Sequence, residues 1–149
     1  MSVPVTAELW GNLRKALADC CGQSLPGPDG MQVPFELRES PGKGRGVFST
    51  AHVENGTIVW TSHHEVTFNS GQYWASFLLA IPPHLRCDVQ AWAYSPTTKS
   101  VGVVLDEGSY INTGCSTVAY AEKPNLACDD LHCYAIGDIS PGTEFLEDY

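Results

Sequence analysis

A mostly β fold with small helices is what this sequence predicts, and two observations carry the prediction. From Val33 onward the chain breaks into short β-type runs separated by clusters of glycine, proline and asparagine. Only two stretches show helical spacing, and proline- or glycine-rich punctuation closes both of them.

The first helical stretch covers residues 6 to 21. Leu9, Trp10, Leu13, Ala16, Leu17, Cys20 and Cys21 fall on one face, and Thr6 supplies an N-cap hydroxyl. The run SLPGPDG, Ser24 to Gly30, then breaks the helix. It sets a boundary between an N-terminal helical arm and linker, residues 1–30, and a main body, residues 31–149. Within that body the expected strands are Phe35–Arg38, Thr57–Thr61, Glu65–Phe68, Val89–Tyr94, Val101–Leu105, Ser116–Tyr120, Leu131–Ala135 and Thr143–Leu146. One helix interrupts them, Gln72 to Ile81, rich in Trp74, Phe77, Leu78 and Leu79 and stopped by Pro82-Pro83. The tetrapeptide SPTT, 95–98, reads as a hairpin turn. There are no internal repeats and no low-complexity tract.

A chain of 149 residues can bury one core without staples. Its 43% hydrophobic and 17% charged content is that of an ordinary globular protein rather than a disordered one. The N-terminus has no apolar signal core, and no run approaches the roughly 20 apolar residues of a membrane span. A cytoplasmic or nuclear location is therefore expected, with the six cysteines as reduced thiols. A net charge of −9 argues against direct binding of nucleic acid or its phosphates and suits a basic protein or peptide partner.

Three segments could carry chemistry. SPGKGRGVFS, Ser40 to Ser49, reads as a glycine-rich hairpin whose backbone can approach a ligand closely. It lacks the spacing and following helix of a dinucleotide loop. DEGSYINTGCS, Asp106 to Ser116, carries Asn112, which serves either buried backbone groups or a ligand's polar end. CYAIGDISPGTEFLEDY, Cys133 to Tyr149, reads as strand, turn and closing strand. Other clusters are weaker. Cys128, His132 and Cys133 in CDDLHC fall short of a zinc ligand set, so no metal is expected. Cys20-Cys21 reads as apolar packing and His63-His64 as surface. No nucleophile elbow or P-loop occurs.

Taken in this order, the three segments resemble the SET domain family of protein lysine methyltransferases. GKGRGVFSTAHVENGTIV matches the family's Gly-x-Gly opening, down to the ENG turn, and YAIGDISPGTEFLEDY matches its Asp-Tyr ending. The resemblance covers roughly residues 35 to 149 and is weak between Glu65 and Leu105. It implies a SET-type β fold with a pseudoknot, β-clip-like, preceded here by the N-terminal helix. It also implies S-adenosylmethionine on one face and a lysine on the other, joined by a narrow channel. In-line methyl transfer from sulfonium to neutral amine demands alignment and desolvation more than acid–base power. Residue by residue, Lys43, Gly44, Arg45 and Gly46 would lie along the cofactor. Asn112, with Thr113 beside it, would hold the cofactor's amino-acid end. Tyr149 would be the active-site tyrosine, and Tyr94 is a candidate second channel tyrosine. The substrate would be a lysine of a basic protein or peptide, histones included.

Departures from the family pattern bear on activity. Thr113 and Gly114 replace the family's histidine and the residue after it; Cys115 is retained, and Thr117 and Val118 stand where Pro-Asn belongs. Pro124-Asn125 comes seven residues later than the pattern requires. The cysteine-rich post-SET segment of many members does not follow within these residues, which implies an open site or a channel completed by another chain. Two alternatives therefore stand beside the enzyme: a degenerate, non-catalytic SET-fold interaction module, and a SET fold recruited to a small-molecule reaction.

Overall fold

The structure is a computed structural model that describes residues 5–28, 30–114 and 122–148. The chain divides into two compact units. The first comprises the described residues 30–62 and 110–148, and the second 5–28 and 63–109.

The first unit opens with a hairpin of β1, Phe35–Ser40, and β2, Gly44–Ser49, in register from Phe35↔Ser49 to Ser40↔Gly44. Its tight connection needs positive φ at Gly42 (77°) and Gly44 (83°), which L side chains rarely adopt. The glycine-rich hairpin expected there is what forms. The ENG turn also forms: Thr57 N–H donates to the Glu54 carbonyl at 3.1 Å, and the Asn55 N–H to the Asp138 carboxylate at 2.9 Å. It delivers the chain to β3, Ile58–Thr61.

β3 is the edge of a five-stranded sheet ordered β3-β8-β7-β9-β6. The remaining members are β6, Asn112–Thr113; β7, Leu126–Cys128; β8, His132–Ala135; and β9, Leu146–Glu147. The closing strand β9 lies between β7 and β6 and runs parallel to both. This placement of the last strand between two earlier segments is the signature of the topology. Residues just before β9 pair with β2: Phe145 N–H donates to the Val47 carbonyl at 2.8 Å, and Ser49 N–H to the Thr143 carbonyl at 2.8 Å. The core of this unit gathers Val47, Val59, Leu126, Ile139, Phe145 and Leu146, each 5% exposed or less.

In the second unit α1, Ala7–Cys21, forms as expected: the Thr6 hydroxyl accepts from Leu9 N–H at 3.2 Å, and Gly22 closes the helix in the left-handed region. Its Trp10, Leu13 and Leu17 are buried. β4, Glu65–Phe68, pairs antiparallel with β5, Val101–Val104. α2, Gly71–Ala80, is capped by Ser70, and its Phe77 stacks on Phe68 with centroids 5.4 Å apart.

Several expectations are corrected. The strand expected at Val89–Tyr94 is α3, Arg86–Trp92. Apolar alternation through 89–94 mimics a strand, but Leu85, Val89 and Trp92 also share a helical face, and Pro82-Pro83 opens a 3-10 turn leading straight into it. Past the helix, Ala93 is extended and Tyr94 bridges Gly102 across the turn that contains 95–98. The last strand begins at Leu146 rather than Thr143, and β7 is an additional element. The strand expected at Ser116–Tyr120 lies outside the described residues. The six-thiol expectation also changes: Cys128 joins Cys133, directly opposite it across β7 and β8, and Cys20 joins Cys21. Among the described residues Cys87 is a free, exposed thiol. No helix among the described residues is long and apolar enough to cross a membrane.

Candidate functional site

The residues singled out at both ends of the resemblance converge in the first unit. Asn112 sits on β6, whose parallel pairing sets it opposite Leu146 of β9. Its amide Nδ2 donates to the Arg45 carbonyl at 3.0 Å and to Glu144 Oε1 at 2.8 Å. One side chain thus ties the glycine strand to the closing segment. The Glu144 carboxylate, only 10% exposed, also accepts from the Ser40 hydroxyl at 2.9 Å, and the Lys43 ammonium lies 3.8 Å from it. Lys43 makes a second, shorter ion pair with Glu122.

The two glycines of Gly44-Arg45-Gly46 have different work. At Gly44 the reason is the backbone, since an added Cβ would meet nothing within 4 Å. At Gly46 the reason is space: a Cβ would stand 3.1 Å from Asn112 Nδ2 and in hard collision with the Glu144 carboxylate. That carboxylate is pinned by Asn112 and Ser40, so it cannot swing away without breaking both bonds. Gly46→Ala is therefore expected to cost about 1–3 kcal/mol, the usual range for over-packing. In urea melts Glu144→Ala should relieve part of that cost, giving a favourable coupling in the double-mutant cycle. Simple additivity of the two changes would rule out the collision as the cause.

The structure brings Lys43, Gly44, Arg45, Gly46 and Asn112 together and places Thr113 beside Asn112, opposite Glu147. Tyr94 stands in the second unit, where its hydroxyl donates to the Glu65 carboxylate in a short bond. Its ring lies over Gly102, where a Cβ would collide with the phenol carbons. Tyr149 lies outside the described residues, as does Cys115.

Three residues that hold the site together were not among the site residues expected from sequence: Ser40, Glu144 and Asn125. Asn125 pins the closing segment with both ends of its amide. Nδ2 donates to the Glu144 carbonyl at 2.8 Å, and Oδ1 accepts from Leu146 N–H at 2.8 Å. Its backbone adds a bond from Asn125 N–H to the Leu146 carbonyl at 3.0 Å. The Pro124-Asn125 pair, seven residues later than the family pattern requires, thus docks on the closing strand. Gly114 completes the detour by backing directly onto Lys123 and Pro124. The one signal available in the sequence was the Pro-Asn pair itself. Nothing local marks Glu144, because its burial depends on partners 104 and 32 residues away.

Among titrating groups, Asp129 is shifted. It accepts the N–H groups of Leu131 (2.8 Å) and His132 (2.7 Å) in the β7–β8 turn, and these bonds hold its carboxyl below the ordinary aspartate range.

No protein-family model and no curated protein matches the chain. Solved structures do. A candidate histone methyltransferase of Plasmodium falciparum is 19% identical, with a TM-score of 0.49 over 80% of this chain and 95% of its own. KRYPTONITE, solved with methylated CHG DNA and SAH, is 18% identical at a TM-score of 0.50, again over 80% of this chain. The methyltransferase domain of the human histone-lysine N-methyltransferase SETMAR is 16% identical at a TM-score of 0.50 over the same share. The match spans only 24% of the KRYPTONITE chain and 45% of the SETMAR chain. Hairpin, closing strand and sheet order, together with the last two neighbours, make this a SET-type fold: mostly β, with small helices and an N-terminal helix.

Proposed function

We propose that this chain is a methyltransferase of the SET type that moves a methyl group from S-adenosylmethionine to a lysine of a basic protein or peptide. The observation that carries the reading is the junction of Lys43–Gly46, Asn112 and the closing segment at Glu144. It is supported by the shared fold with methyltransferases, one of them solved with SAH.

The residues present fit such a cofactor. Gly44 leaves open the space where a side chain would stand, and Lys43 supplies a cation for the carboxylate of an amino-acid end. Asn112, whose Nδ2 serves Arg45 and Glu144, offers its Oδ1 as an acceptor for the ammonium. When bound, the cofactor supplies an electrophilic methyl on a sulfonium. The chain's own part is to bind and orient it, to exclude water, and to receive a lysine in its neutral form. Tyr149 contributes a phenol oxygen that orients the amine. The net charge of −9 favours a basic substrate.

Two measurements test this. S-adenosylmethionine or its demethylated product should raise the melting temperature, by about 2.7 kcal/mol of stabilisation at a hundredfold excess over Kd. Labelled methyl should pass to a panel of basic proteins, histones among them, and Tyr149→Phe should remove most of that transfer while leaving the ligand-induced shift. Absence of any shift at millimolar ligand would sink the proposal. Partner binding that needs no cofactor and survives Tyr149→Phe would mark an interaction module instead.

A further inference from the structure

We propose that Cys128, Cys133 and Glu147 form a binding site for a thiophilic divalent cation, zinc in the first place, which the thiol form occupies and the disulfide form excludes. The site is independent of the methyltransferase reading.

Strand register creates it. Cys128 and Cys133 are directly opposed on β7 and β8, so their side chains share one face of the sheet. On the other side of β7, Glu147 of β9 is in register with Leu126, two residues before Cys128. Side chains two apart on a strand point the same way, so the Glu147 carboxylate arrives on the face of the two sulfurs. Its Oε2 lies 3.0 Å from Cys128 Sγ and 3.9 Å from Cys133 Sγ. One donor atom from each of the three residues falls within 4.8 Å of the others. Cys133 is buried at 3% exposure while Cys128 is exposed, so the site has a packed floor and an open entrance. His132 stands with the two cysteines in sequence but not in the site: its neighbour Cys133 points to the sulfur face, which sends the His132 ring to the opposite one.

The donor set selects the ion. Two thiolates and one carboxylate, with a fourth position left to water, match zinc, which takes sulfur and oxygen ligands tetrahedrally at about 2.3 and 2.0–2.2 Å. Hard cations such as magnesium prefer all-oxygen sets. Chemistry makes occupancy conditional. In the structure the two sulfurs are bonded to each other. Two equivalents of a thiol reductant convert that bond to two thiols and are themselves oxidised to one disulfide. Binding of the ion then displaces the two thiol protons. A cytoplasmic or nuclear setting would favour the thiol form.

Full-length protein would be reduced with thiol, stripped with chelator, desalted anaerobically and titrated with cobalt(II) as the spectroscopic probe. A thiolate-to-cobalt charge-transfer band should grow to one equivalent, and zinc should bleach it. Cys128→Ser and Cys133→Ser should each abolish the band. Glu147→Gln should weaken binding roughly tenfold or more, and His132→Ala should leave it unchanged. Zinc should raise the melting temperature of the reduced protein and not that of the oxidised one. If a serine variant fails to fold, Glu147→Gln carries the test, since it leaves both thiols in place. A reduced wild type with no band, or a band that persists in the double serine variant, would overturn the proposal.

Discussion

Gly114→Ala is expected to destabilise the protein by about 3 kcal/mol, the upper end of the range for over-packing. A Cβ at this buried position would stand 2.6 Å from the Pro124 nitrogen and 2.9 Å from both Lys123 C and Pro124 Cα. Those are backbone atoms, so no rotamer change relieves the collision. Neither side can retreat easily. Gly114 N–H is bonded to the Glu147 carbonyl at 2.8 Å, and the next residue after Pro124 is Asn125, fixed to the closing segment by three bonds. The glycine that departs from the family pattern is therefore what lets the chain leave β6 and return to β7 at nearly the same point. Urea denaturation measures the effect. A change within about 0.5 kcal/mol, as for an ordinary surface substitution, would show that the close approach is not rigid.

Asn125→Ala is expected to cost about 2–4 kcal/mol, because it removes two hydrogen bonds and strands a carbonyl and an N–H at a half-buried site. The Asn125 amide behaves as a short length of strand: it gives a donor to Glu144 and an acceptor to Leu146, the two residues flanking the fully buried Phe145. Asn125→Asp separates the two roles. It keeps the acceptor for Leu146 but sets a carboxylate against the Glu144 carbonyl, so it should lose as much stability as alanine or more near neutral pH. Recovery is expected as acid protonates the new carboxyl and restores a donor, provided the comparison is made against wild type at each pH. Thermal melts of both variants check this. Equal stability of Asn125→Asp and wild type at neutral pH would mean the donor bond contributes nothing. Because Glu144 also holds Asn112, under the proposed function both variants should weaken S-adenosylmethionine binding more than a substitution of similar cost elsewhere in the sheet.

Local signals were legible where the physics is local. The N-terminal helix, its Thr6 cap, the glycine hairpin, the ENG turn and the β4 strand follow from periodicity, capping and turn chemistry within a few residues. Sequence alone also indicated a mostly β fold, and the order of its three motifs indicated the SET type. Tertiary structure decided what depends on distant partners. Residues 86–92 read equally well by either period, and packing of Val89 resolved them as a helix. Glu144 looks like a surface carboxylate until Ser40 and Asn112 surround it. Cys128 meets Glu147 only because β9 is inserted beside β7 with Leu126 and Glu147 in register. Alternation along a strand fixes which residues share a face, but it does not say which strands become neighbours. That choice belongs to the closing of the sheet, which brings together Asn112, Asn125 and Glu144 at the candidate site and Glu147 with the two cysteines.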